Sequence, residues 1–195
     1  GPPTYSTYLG GSGLDKPYDI IIDASGAALV VGLTDSTNFP TRNPVQSTLR
    51  GFYDVFVTRL DLLPPGVSSY GGSTRGCSGP LPIGASASPR VGNAGFAVTC
   101  ERAPAGSAGL LGLSSRGLST PIVVLGAAIW LDPAAPGFVL VSAHSTVSGA
   151  STVALPVPPD AGLAGAQVFA QFYWADACAA GGVSASNAVQ ITVQP

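Results

Sequence analysis

Asp19-Ile20-Ile21-Ile22-Asp23-Ala24-Ser25-Gly26-Ala27-Ala28-Leu29-Val30-Val31-Gly32-Leu33 consists of two short aliphatic runs with a turn between them. Asp at the first turn position and Gly at the last suit a type I turn that closes a hairpin of residues 19–23 and 27–33. Successive side chains of a strand point to opposite faces. Ile20, Ile21 and Ile22, and Leu29, Val30 and Val31, therefore make both faces of this hairpin apolar. Such strands need cover on both sides. One small sheet cannot supply it, whereas neighbouring sheets in a stack can. Residues 55–60 predict a third strand. Tyr5-Ser6-Thr7-Tyr8-Leu9 alternates like another and ends in Gly10-Gly11.

The rest of the chain agrees with an all-β reading. Apolar residues make up 46 % and charged residues 9 % of the 195 residues, the reverse of a disordered chain. Gly (26) and Pro (18) are frequent without a collagen period, which with the many Val, Thr and Ser implies short strands and many turns. The chain has one Glu, one Lys and no Met, and its apolar residues do not recur at helical spacing, so long helices are excluded. The net charge is −2 and the arginines are scattered from Arg42 to Arg116. No basic patch results, which argues against nucleic acid as a partner. The best apolar run, residues 121–131, falls short of the ~18 residues of a membrane span. The chain starts at Gly1 without Met, so the expectation is a piece of a larger protein, and the missing leader says nothing about export. Low charge with many Ser and Thr points to a secreted or cell-surface location.

Composition changes near Pro64-Pro65. Six of the ten acidic residues precede it, and all three cysteines follow. We therefore expect two parts, residues 1–63 and 64–195. In the first, Tyr5 to Gly13, then Ile22-Asp23-Ala24-Ser25-Gly26, then Val31-Gly32-Leu33-Thr34-Asp35-Ser36-Thr37-Asn38-Phe39-Pro40, then Asp54-Val55-Phe56-Val57-Thr58-Arg59-Leu60 occur in order. Over residues 4–61 this resembles one SBBP repeat, a family associated with bacterial β-propellers in which each repeat supplies one blade. The resemblance implies a blade-like antiparallel sheet, the last of a longer array, with upstream repeats of the same protein as partners. Lys16-Pro17 stands where the family carries Asp and Gly.

The second part shows period-two alternation at Phe96, Val98 and Cys100, at Val153, Leu155 and Val157, and at Val189, Ile191 and Val193. That is the mark of sheets with one wet side. Further strands are expected at residues 81–88, 108–113, 122–131, 138–143 and 167–175. About eight strands over ~130 residues fit a two-sheet antiparallel β-sandwich. Tyr70 to Gly79, Gly92 to Phe96, Leu163 to Gln167 with Ala170-Gln171, and Ser186-Asn187-Ala188 resemble an uncharacterised C-terminal domain of large secreted proteins from planctomycete-like bacteria. That resemblance implies a location and an architecture, and no activity.

No catalytic constellation emerges. His144 is the single histidine, no Gly-x-Ser-x-Gly elbow exists, and the bland reading places His144 at a strand end. Cys77, Cys100, Cys178 and His144 lack the Cys-x-x-Cys spacing of a zinc site. Gly10-Gly11-Ser12-Gly13 lacks the Lys-Ser/Thr of a phosphate-binding loop. Asp15, Asp19, Asp23 and Asp35 offer oxygen to Ca²⁺, but Asp is also a common turn residue, and the spacing matches no Ca²⁺ loop. No cofactor is expected. Phe172 and Trp174 share a face with Val168 and are expected in the core, whereas Phe169 and Tyr173 point the other way and form a weak candidate binding patch.

Three cysteines allow one disulfide and three pairings. With strands alternating up and down, Cys100 ends on the side of Cys77, and Cys178 falls at the far end, a strand length of about 17–20 Å away. Parity therefore favours Cys77–Cys100, closing a loop of about two dozen residues worth on the order of 3 kcal/mol, with Cys178 a free thiol. The expected function is a non-enzymatic structural or adhesion module at the C-terminal end of a larger repeat protein. Its alternative is a glycan-binding accessory module of an upstream secreted enzyme.

Overall fold

The aliphatic hairpin forms, and a third strand joins it. The computed structural model describes residues 7–23, 27–41, 44–60 and 63–195. Strands β1 (Asp15–Ile22), β2 (Ala28–Thr34) and β3 (Asp54–Leu60) pair antiparallel in the order β1-β2-β3. The turn expected at residues 24–26 lies outside the described residues, but its flanks show why Asp stands there. The Asp23 N–H donates to the Ala27 carbonyl at 2.9 Å, and the Ala27 N–H donates to Asp23 Oδ1 at 3.0 Å. Pro17 lies on edge strand β1 beside an irregularity in register between Pro17 and Asp19. That is where a residue without an N–H is tolerated. Of the strand expected at residues 5–9, Tyr5 and Ser6 lie outside the described residues, and Thr7, Tyr8 and Leu9 are not in a strand.

A second compact unit runs from Leu63 to Pro195. Its strands are β4 (Val67–Tyr70), β5 (Ile83–Ala85), β6 (Ala97–Cys100), β7 (Ala108–Ser114), β8 (Gly117–Val124), β9 (Ala127–Leu131), β10 (Val139–His144), β11 (Ser151–Ala154), β12 (Gln167–Ala175), β13 (Val183–Ala185) and β14 (Ala188–Thr192). One sheet has the order β10-β7-β12-β14-β4 with β13 beside β12, and a second has the order β11-β6-β5. Their facing sides share one core. Val98, Cys100 and Val153 of the smaller sheet, with Phe96 just before β6, meet Leu111, Ala170, Phe172, Trp174, Val189 and Ile191 of the larger. Phe172 and Trp174 are buried, as the alternation along β12 requires. The protein is all-β with several antiparallel sheets, and the described residues form no closed barrel.

One expected strand is two. Residues 122–131 turn back on themselves at Leu125-Gly126, so β8 and β9 form a separate two-stranded ribbon. Both turn residues have positive φ, 48° at Leu125 and 75° at Gly126, as a two-residue type I′ connection demands. The ribbon lies on the outer face of the larger sheet. Trp130 and Leu131 of β9 reach Tyr70, Gln171 and Tyr173 there.

Candidate functional site

In the first unit the register assigns the paired strand residues to a face, Tyr18 lying in the irregularity of β1. Ile21, Leu29 and Arg59 are level with one another, as are Asp19, Val31 and Val57, and Lys16, Leu33 and Val55. One face therefore carries Ile21, Leu29, Val31, Val57, Leu33 and Val55, with the three charges at its margin. The opposite face carries Ile20, Ile22, Ala28, Val30 and Phe56, and Phe39 stacks on Phe56 with ring centroids 4.6 Å apart. Ile20, Ile21, Ile22, Val55 and Val57 are each more than half exposed. A small sheet with exposed aliphatic side chains on both faces is an unusual soluble surface.

The glycine-rich loop of this unit is held by side chains and not by a ladder. Asp15 accepts from the Gly11 N–H at 2.7 Å, from the Thr34 hydroxyl at 2.6 Å and from the Ser36 hydroxyl at 2.9 Å. Asn38 Oδ1 accepts from the Ser12 N–H, Ser36 Oγ from the Gly13 N–H, and Asp35 Oδ1 from the Leu14 N–H. The Thr34 hydroxyl, joined by the Gly11 N–H and Ser36, holds the Asp15 carboxyl below its ordinary range against the opposing effect of desolvation. Asp23 pairs with Arg59 at 3.1 Å, and Asp19 accepts from the N–H of Ile20. The four carboxylates considered for Ca²⁺ thus engage backbone and hydroxyl donors and Arg59, and no three of them converge among the described residues.

In the second unit Phe169 and Tyr173 do point away from the core, but the ribbon packs above them. Tyr70 makes edge contacts with Trp130 and Phe169 at 6.3 and 5.9 Å between centroids. Tyr173 donates its hydroxyl to Gln171 Oε1 at 2.9 Å, and burial pushes its phenol up. Tyr70 is likewise raised by burial, to about 12. Gly71 has φ 67° and lies under Trp130, where a Cβ would sit 2.4 Å from the indole. This cluster is a second small core, half-buried and free of charge. Sequence reasoning missed it because the ribbon that covers it was read as one strand.

The cysteine pairing is corrected. Cys77 bonds to Cys178, with Cα atoms 5.0 Å apart, and Cys100 is free and buried. The hairpin turn at Leu125 adds one strand to the count and reverses the parity, which brings Cys178 to the end where Cys77 lies. Cys100 instead points into the core beside Trp174, and burial raises its thiol to about 12. His144 is the last residue of β10, opposite Ala108 on β7. The cysteines and His144 do not form one cluster, and Cys77, Asp176 and Cys178 are the group of three potential metal ligands among the described residues.

A family model described as a beta-propeller repeat, SBBP, matches residues 4–40. The match spans both halves of the Asp15 network, the loop at residues 10–14 and the segment from Thr34 to Asn38. No curated protein and no solved structure matches the chain.

Proposed function

We propose that the chain is a non-enzymatic structural or adhesion module, secreted or at the cell surface, from the C-terminal part of a larger repeat protein. The observation that carries this reading is the three-stranded sheet of β1, β2 and β3: Ile21, Val55 and Val57 are exposed on one face, and Ile20 and Ile22 are exposed at the β1 edge of the other, whose Ala28, Val30 and Phe56 are buried. Burying such a face stabilises by roughly 25 cal/mol per Å² of apolar surface. Upstream repeats of the same protein are the proposed cover, in line with the repeat at residues 4–40. The disulfide and the absence of a membrane-spanning helix among the described residues support an extracellular location. Residues 1–63 are proposed to act as the last blade of the array and residues 64–195 as the terminal domain. No part of this reading requires nucleic acid or a cofactor.

Backbone hydrogen exchange on the full chain tests it. In monomeric protein the amides of β1–β3 are expected to exchange far faster than those of β12, and to become protected when an upstream repeat is joined to the chain. Core-like protection of β1–β3 in the monomer would overturn the reading. The accessory-module alternative requires an open aromatic platform; Phe169 and Tyr173 do not offer one beneath the ribbon, whereas Tyr18, Phe52 and Tyr53 of the first unit are exposed.

A further inference from the structure

We propose that Cys77, Asp176 and Cys178 form a site for a thiophilic divalent metal when the disulfide is reduced. The three ligand atoms lie within 4.8 Å of one another. Asp176 Oδ1 is 3.2 Å from Cys77 Sγ. Neighbouring ligands of a tetrahedral zinc, bound at about 2.3 Å to sulfur and about 2.0–2.2 Å to oxygen, stand about 3.5–3.8 Å apart, so the carboxylate is near this distance and the two sulfurs, bonded to each other in the disulfide, must part on reduction before both bind one ion. Cys77 and Cys178 are exposed residues, while Asp176 is 5 % exposed.

The two loops are tied by backbone hydrogen bonds besides the sulfur–sulfur bond. The Thr74 N–H donates to the Ala185 carbonyl at 2.8 Å, and Gly76 and Gly79 exchange backbone hydrogen bonds at 3.1 Å. On the other side the Asp176 N–H donates to Gly182 and the Ala179 N–H to Asp176. These bonds fix both loops. Cys178 N–H donates to Asp176 Oδ1 at 3.0 Å, and the longer contact from Cys77 N–H to Oδ2 is 3.3 Å, so the carboxylate is aimed by its surroundings. No lysine or arginine pairs with Asp176 among the described residues. A Cβ on Gly76 would lie 1.9 Å from Asp176 Oδ2 and 3.3 Å from Ser184 Cβ, so glycine keeps this space open. The Ser184 hydroxyl beside it is fully buried and has no hydrogen-bond partner.

Reduction by a dithiol transfers two electrons and two protons. The Cys77–Cys178 bond breaks, two thiols form, and the dithiol becomes its own disulfide. Metal binding then displaces one proton from each thiol, and the carboxylate binds without proton loss. A divalent ion takes the charge of the three-ligand set from −3 to −1, with one coordination position left for water. Disulfide and metal are mutually exclusive states of the same residues.

The test uses the full, tag-free chain carrying Cys100→Ala, which removes the buried thiol from the background. The protein is reduced with a phosphine, desalted under argon and titrated with Co²⁺. One equivalent is expected to produce a thiolate-to-cobalt charge-transfer band that Zn²⁺ abolishes, and the oxidised protein is expected to give none. Asp176→Asn is expected to weaken binding at least about tenfold. Absence of the band in reduced protein, an equal band in Cys77→Ser, or unchanged affinity in Asp176→Asn would each overturn the proposal. Circular dichroism covers loss of fold: if the reduced chain unfolds, Zn²⁺ must restore the spectrum, and failure to do so also refutes the site.

Discussion

The side-chain oxygen of Gln171 accepts the backbone N–H of Trp130 at 2.9 Å, standing in for the strand neighbour that β9 lacks on that side. The same side chain donates to the carbonyls of Ala128 and Ser186, both at 2.8 Å, and its oxygen also receives the Tyr173 hydroxyl. Gln171 is fully buried. Its hydrogen-bonding groups are therefore satisfied away from water, and the ribbon is fastened to the sheet by one amide. Gln171→Leu keeps the approximate volume and leaves these backbone groups unpaired. Each unsatisfied buried group costs about 1–3 kcal/mol, so a loss of about 2–5 kcal/mol is expected. Urea unfolding of the second unit measures it, and a loss below about 1 kcal/mol would show that the ribbon is held by its aromatic contacts instead.

Peptide mapping without reduction is expected to yield a Cys77–Cys178 linked peptide and a free Cys100. The bridge spans a sequence separation of 101 residues. Chain entropy for a loop of that size gives about 4.7 kcal/mol, so Cys178→Ser is expected to lower stability by several kcal/mol. Cys100, with its thiol raised to about 12 by burial, is expected to resist alkylation in the native protein near pH 8 and to react on unfolding. A linked peptide containing Cys100 would contradict both statements.

Alternation was legible wherever one face of a strand is wet. Phe172 and Trp174 in the core, and Phe169 and Tyr173 on the other side, follow from period two alone. The doubly apolar hairpin was legible from its unbroken aliphatic runs and the Asp and Gly between them. The ribbon was not. Ile122 to Leu131 is an apolar run broken only by Gly126, and its turn puts Leu125 at positive φ, the position where Asn, Asp or Gly is the usual partner of the following Gly. Gly126 alone, without Asn or Asp before it, is a faint mark, and one unrecognised reversal moves Cys178 to the wrong end. The Asp15 network was half legible. Asp and Gly announced a turn, but the link from Gly11 to Asp15 and on to Thr34 and Ser36 joins segments about twenty residues apart, and local rules do not reach that far.

Asp15 gives the first unit a defined acid response. Its carboxyl is held below the ordinary 3.8, chiefly by the Thr34 hydroxyl and then by Gly11 and Ser36, against desolvation. A depressed folded value means that the stabilisation is present above the unfolded pKa and is lost as pH falls through the lowered folded value. The amide resonance of Gly11, which donates to Asp15, is expected to titrate with a midpoint below 3.8 and to stop titrating there in Asp15→Asn. A midpoint at or above the ordinary carboxylate value would mean that the network does not persist in solution.

Pro121 is expected to keep β8 from pairing with other chains. In the ribbon Val124 faces Ala127, Val123 faces Ala128 and Ile122 faces Ile129. A two-residue turn makes Val124–Ala127 and Ile122–Ile129 the hydrogen-bonded pairs, so the polar groups of Val123 and of position 121 point to the free edge. The far side of β9 agrees with this phase: Ala128 and Trp130 are the residues whose backbone bonds go outward, to Thr74 and Gln171. The free edge of β8 carries exposed Ile122, Val123 and Val124, a pattern that invites strand addition. Proline removes the donor at 121, and the register is irregular between Gly117 and Ile122, so little of the edge can pair. Pro121→Thr restores a donor and raises strand propensity. Sedimentation velocity on the full chain is expected to show added self-association relative to the parent at equal concentration. Adding Val123→Lys is expected to reverse it, because a charge on the edge opposes pairing. Identical sedimentation of Pro121→Thr and the parent, or association that Val123→Lys leaves intact, would show that the edge of β8 is closed by something other than its proline.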